Sequence, residues 1–241
     1  MQVAANENLL FSELIGSLGP EDWDGPTDCD LWSVRDIVAH LIGWGEGLTS
    51  PREGLHQFAA SRRRVREMGG STNAQNQIQV EDRRDMTIDE LIAAYERASA
   101  RLLKLRNRIG VVGRAIPWYN PILGGFATVG FVADSIFTRD TFMHRIDISL
   151  ATDRELVMGL HQDLLIADIV RDWAGRAGIP VRVELEGSGG GTFVNQDARV
   201  TVRTSAVDFC RAMTGRIPPE SLDAQGDAGE VERALAARAP F

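Results

Sequence analysis

The sequence predicts an all-α N-terminal region, a four-helix bundle, followed by a C-terminal α+β domain with a small antiparallel sheet. Three observations carry this. Four long stretches before residue 155 place apolar residues three and four apart, the period of a helix with one buried face. The segment VRVELEG at 181–187 alternates strictly, with Val181, Val183 and Leu185 on one side, as a half-buried strand does. The run GSGGG that follows is a turn, and TFVNQ and ARVTVRTS supply two more short strands. The expected division is residues 1–154 for the bundle and 155–241 for the α+β domain.

Along the chain, residues 8–18 read as a short amphipathic helix carrying Leu9, Leu10, Leu14 and Ile15 on one side. A loop over 19–31 precedes a helix over 34–48, which opens on Ser33 with Asp36 three residues later, a variant of the capping box. Ile37, Leu41 and Trp44 form its apolar face, and His40 lies on that face. A helical stretch over 52–68 holds SRRRVRE, read as a solvated surface; a break at 69–73 and the polar NAQNQIQVEDRRD come next. Thr87 and Glu90 then cap a clear helix over 87–108, and residues 117–127 look irregular. Residues 128–150 read as one long helix, and 156–177 as the helix bridging the two domains. Two further helices are expected at 206–214 and 230–238.

With 26 Lys and Arg against 34 Asp and Glu, the net charge of −8 argues against a broad nucleic-acid or anionic-membrane surface. The first residues lack the basic leader of a signal peptide, and no apolar run reaches membrane-spanning length. Cys29 and Cys210 lie far apart without CxxC spacing, which fits structural thiols in a reduced cytoplasmic setting, although one disulfide is compatible with the count.

Asp140 and His144 are four apart on the helix over 128–150, so they point the same way from an apolar stripe. Buried polar groups need partners. Arg139 or Arg145 could neutralise Asp140, and His40 could be a core histidine bonded to a carbonyl. Together the three make a His/Asp/His set for a divalent metal with open positions, built from facing helices. His56 and His161 sit among polar residues and read as surface histidines. Residues 187–191 lack the Lys and Ser/Thr of a phosphate loop and read as a hairpin turn.

The segments DWDGPTDCDLWSVRDIVAHL and FTRDTFMHRIDISLATDRE resemble the second and last bundle helices of the DinB-like, mycothiol-dependent metalloenzymes typified by maleylpyruvate isomerase. NAQNQIQVEDRRDMTIDEL is similar to the connector before their third long helix, and residues 156–241 follow the layout of their sterol-carrier-like C-terminal domain. The resemblance implies His40, Asp140 and His144 as metal ligands, with zinc favoured and mycothiol as thiol cosubstrate. It implies a metal-activated thiolate adding to, or transferring onto, a small electrophile. The isomerase has Glu where this chain has Asp140, a departure that bears on the reaction more than on metal binding. It also implies an active-site arginine from the C-terminal domain, Arg216 or its rival Arg211 in FCRAMTGRIP, holding a substrate carboxylate. Asp147 is the expected outer partner of an imidazole N–H. The other readings are a metal-dependent hydrolase using activated water and a non-catalytic metal-binding stress or binding protein. Expected partners are a small substrate and a low-molecular-weight thiol, with no nucleic acid and no membrane, on a monomer or weak dimer.

Overall fold

The computed structural model describes residues 1–120, 125–195 and 197–241. Helix α1 (Gln2–Gly16) leads through a 3₁₀ turn at Pro20–Asp24 to α2 (Val34–Thr49). Ser33 accepts from the Asp36 amide while the Asp36 carboxylate accepts from Ser33 N–H at 2.9 Å, so the expected capping box forms. Helix α3 (Pro51–Ser61) is shorter than the stretch read from sequence. The polar segment after it is a helix, α4 (Ser71–Glu81), and not a connector. Its buried face mixes apolar Ala74, Ile78 and Val80 with the polar Gln75 and Gln79 that face Gln57 and His40, which blurs the apolar period in a segment otherwise polar. Helix α5 (Ile88–Arg108) is capped by Thr87 and Glu90 as expected.

After α6 (Val111–Ala115), the stretch expected to be irregular forms a hairpin, β1 (Pro117–Asn120) against β2 (Gly125–Thr128). Residues 121–124 of that stretch lie outside the described residues. The long helix over 128–150 is interrupted: one turn, α7 (Val129–Phe131), passes through a π-helical segment at Val132–Ile136 into α8 (Phe137–Ala151). A π turn carries an extra residue and so resets the rotation of the helix beyond it. The Asp134 carbonyl accepts from Thr138 Oγ1 at 2.8 Å and from Arg106 at 3.3 Å.

Helix α9 (Leu160–Ala177) ends on Gly178, whose φ of 64° is the left-handed cap that glycine favours. Strands β3 (Val181–Glu186), β4 (Gly191–Val194), β5 (Val200–Ser205) and β6 (Asp223–Gly226) follow, with α10 (Ala206–Met213) after β5 and α11 (Ala228–Ala236) last. The glycine run is the β3–β4 turn, with Gly187 and Gly189 at φ of 78° and 77°. The sheet order is β4-β3-β5-β6 and the sheet is mixed, which corrects the antiparallel expectation. After β4 the chain crosses to the far edge of β3 near Pro180, so β5 enters parallel to β3. Strand β6, DAQG, is too short and polar to announce itself.

Two hydrophobic cores result. One joins Phe11 and Ile15 of α1, Ile37 and Ile42 of α2, and Leu91 and Tyr95 of α5 to Ile148 of α8. The other joins Trp173 of α9, Val183, Val202 and Phe209 to Phe142, Met143 and Ile146 of α8. Every side chain from Thr138 to Ser149 is therefore buried, because α8 is covered on both sides.

Candidate metal centre and cleft

His40 comes from the middle of α2, and Asp140 and His144 come from α8. The structure brings all three together. His40 Nε2 lies 3.6 Å from Asp140 Oδ2 and His144 Nε2 lies 3.4 Å from Asp140 Oδ1. One donor atom from each residue falls within 4.8 Å of the others. The imidazole planes stand at 78°, with centroids 5.3 Å apart.

The outer nitrogens are fixed, and hydrogen-bond direction can be deduced around His40. Gln57 Nε2 donates to the Gly43 carbonyl and the Glu53 carboxylate, both at 2.9 Å and both acceptors only. Gln57 Oε1 therefore accepts, from Gln79 Nε2 at 3.1 Å. That leaves Gln79 Oε1 to accept from His40 Nδ1–H at 2.9 Å, so the neutral ring presents its Nε2 lone pair toward Asp140. Gly43 permits this, since a Cβ there would overlap the Gln79 side chain. On the other ring, His144 Nδ1 donates to Asp147 Oδ2 at 3.0 Å. Asp147 is gripped in turn by Arg216, Nε to Oδ1 at 2.5 Å and Nη2 to Oδ2 at 2.7 Å. Imidazoles whose Nδ1–H groups are held by oxygen acceptors while both Nε2 atoms converge on a carboxylate could hold a metal ion.

Charges follow this geometry. Burial pushes His40 below the ordinary imidazole value, and the bonds to Asp140 and Gln79 offset it only in part. Burial opposes protonation of His144 too, but the Asp140 charge and the hydrogen bonds to Asp140 and Asp147 outweigh it, and its pKa is raised well above the ordinary value. Asp140, although buried, is held below the usual carboxylate range by the two imidazoles. Without an ion, a proton on His144 balances Asp140.

The arginines that could have neutralised Asp140 are engaged elsewhere. Arg139 bonds Asp168 and Asp172, each at 2.7 Å, and Arg145 bonds Glu7. The site opens into a cleft of about 840 Å³ lined by Trp32, Trp44, Cys29 and Arg216 among others. Trp32 packs on His40 with centroids 4.7 Å apart. Arg216 stacks over Phe241 at 4.5 Å, and its Nη1 has no hydrogen-bond partner among the described residues. Arg211 does not line the cleft and is bonded to Asp28 and Asp208. His56 is exposed and bonds Asp82, while His161 is half-buried; neither approaches the centre.

Sequence reasoning missed Gln79 and Gln57. Their signal is two glutamines at helical positions whose polarity reads as solvated surface. It also underrated Cys29, which is half-buried with Sγ 3.5 Å from Asp147 Oδ2 and 3.9 Å from Arg216 Nη2. Cys210 is fully buried in the second core, and burial pushes its pKa up to about 12. Both thiols are free. A thiol reagent near neutral pH is expected to titrate Cys29 alone in the native protein, and Cys210 as well after denaturation.

Comparison with known proteins gives the fold and the family. No curated protein matches the chain. Two crystal structures, of the mycothiol-dependent maleylpyruvate isomerase and of a mutant of it, each superpose with a TM-score of 0.60 at 12% identity, covering 93% of this chain and 90% of theirs. Residues 163–233 match the family described as "MDMPI C-terminal domain". Residues 9–149 match the "Mycothiol maleylpyruvate isomerase N-terminal domain", and the chain belongs to that family.

Proposed function

We propose that this chain is a mycothiol-dependent metalloenzyme holding one divalent ion, zinc for preference, on His40, Asp140 and His144. The observation that carries the reading is the convergence of two Nε2 atoms and one carboxylate at the floor of a cleft, with both Nδ1–H groups committed outward. When bound, the ion would depress the pKa of a small thiol and supply a thiolate nucleophile near neutral pH. The chain's own residues do the rest. Trp32 and Trp44 pack against the His40 ring and form an apolar wall of the cleft beside the centre. Arg216 holds Asp147, which orients His144, and offers its remaining Nη1 to a substrate carboxylate. Asp140, a methylene shorter than the glutamate of the isomerase, still lies within 3.6 Å of the Nε2 atoms of both rings.

A single core shared by four long helices, α1, α2, α5 and α8, supports the DinB-like bundle, with residues 1–154 and 155–241 as the two domains. Two free thiols favour a reducing, cytoplasmic setting, and no helix among the described residues is long and apolar enough to cross a membrane. The reaction is an isomerisation or thiol transfer on a small electrophile by a monomer or weak dimer.

The test is turnover of maleylpyruvate with and without mycothiol, before and after chelation. Dependence on both thiol and metal is expected. Turnover that needs metal but no thiol would replace this reading with a hydrolase. Full turnover after the metal is stripped would remove the metal from the reaction.

A further inference from the structure

The total charge of −8 hides a basic face at the far end of α5. Between Arg97 and Ala133 the chain carries six cations and no carboxylate. Arg97, Arg101, Lys104 and Arg108 are spaced four, three and four apart, which stacks them along one stripe of α5. All four are exposed, and none forms an ion pair among the described residues. The other two are engaged, Arg106 being buried and Arg114 bonded to Asp134 at 2.8 Å.

Along the chain the stripe leads within a few residues into exposed apolar positions. Val111 is 86% exposed, Val112 83% and Phe126 78%. Trp118 faces one side of the hairpin and Tyr119, packed on Phe126, the other; both are about half exposed, so the hairpin stands clear of the body. Contiguous exposed apolar residues rimmed by charge mark an interaction surface. Trp and Tyr among them, beside a row of Lys and Arg, match the chemistry of a lipid headgroup layer.

We propose that this face docks peripherally on an anionic lipid bilayer, the cations of α5 meeting headgroup phosphates and Val111, Val112, Trp118 and Phe126 entering the interface. A second copy of the chain fits less well, because face-to-face pairing would oppose like charges. Nucleic acid would leave the aliphatic residues without an apolar partner. The total charge excludes a broad anionic footprint but not this local one, and the contact needs no membrane-spanning segment.

The test is co-sedimentation of the full chain with vesicles of phosphatidylcholine alone or with about a third phosphatidylglycerol, at about 0.1 M and about 0.5 M salt. Binding is expected only to the anionic vesicles, with release at high salt. Replacing Arg97, Arg101, Lys104 and Arg108 together by Gln should lower partitioning at least about a hundredfold, since each cation contributes roughly fivefold. A second variant, Trp118→Ser with Phe126→Ser, should weaken it independently. Both sets are exposed, so circular dichroism should be unchanged. Equal binding to neutral vesicles, or binding indifferent to both variants, overturns the proposal. Concentration-dependent dimerisation of the parent that is lost in the second variant would assign the face to a second copy instead.

Discussion

Protein carrying His144→Ala is expected to purify with less than about a tenth of the parent's metal, and His40→Ala likewise, because losing one of three protein ligands removes a donor that water replaces poorly. The outer partners give a graded version of the experiment. Gln79→Ala frees His40 Nδ1 and removes the link to Gln57, and should weaken metal affinity about tenfold to a hundredfold without removing a ligand. The sign of the pH effect comes from the metal-free charges. His144 is protonated at neutral pH when no ion is present, because Asp140 raises its pKa. An entering ion must displace that proton, so binding should release about one proton and weaken about tenfold for each pH unit lowered. Metal content by elemental analysis and proton release in weakly buffered titrations check both. Retention of parental metal content in either histidine variant would show that the ion sits elsewhere.

How much of this centre is legible in the sequence depends on which residues carry a period. His40, Asp140 and His144 are readable because each interrupts an apolar face, and a buried ionisable group in such a stripe asks for a partner. The capping boxes at Ser33 and Thr87 and the strand VRVELEG are readable because local chemistry dictates them. Helix α4 is not, because the face it buries mixes Ala74, Ile78 and Val80 with Gln79, which packs on Gly43, so no clean apolar stripe stands out. The π turn before α8 and the parallel pairing of β3 with β5 are set by tertiary packing, which no local pattern encodes. The destinations of Arg139 and Arg145 stay open in the sequence for the same reason. Helix α8 looks one-sided in sequence and is covered on both sides, so its arginines find carboxylates on α9 and α1 rather than on Asp140.

Glu7→Gln is expected to destabilise the protein by about 3–5 kcal/mol, the usual consequence of stranding one member of a buried ion pair. Glu7 and Arg145 are both essentially inaccessible to water. Arg145 Nε bonds Glu7 Oε1 at 2.5 Å, Nη2 bonds Oε2 at 3.3 Å and Nη1 bonds the Val157 carbonyl at 2.8 Å, while Gln162 Nε2 bonds Glu7 Oε2 at 2.8 Å. The amide keeps the shape and loses the charge, leaving a guanidinium buried beside a half-satisfied partner. At roughly 2–4 °C per kcal/mol for a chain of this size, the melting temperature should fall by about 6–20 °C. The Glu7→Leu, Arg145→Met double variant should recover much of that loss, because the desolvation penalty disappears with both charges. A double-mutant cycle from urea unfolding gives the coupling directly. The pair also bears on the metal centre. Arg145 follows His144 in α8, and its bonds to α1 and to the segment before α9 fix the rotation that turns Asp140 and His144 together toward His40 of α2. The double variant should therefore regain stability but bind metal less tightly than the parent, separating the ion pair's effect on folding from its effect on alignment. Equal metal affinity in the double variant and the parent would mean that the two cores alone set the rotation of α8.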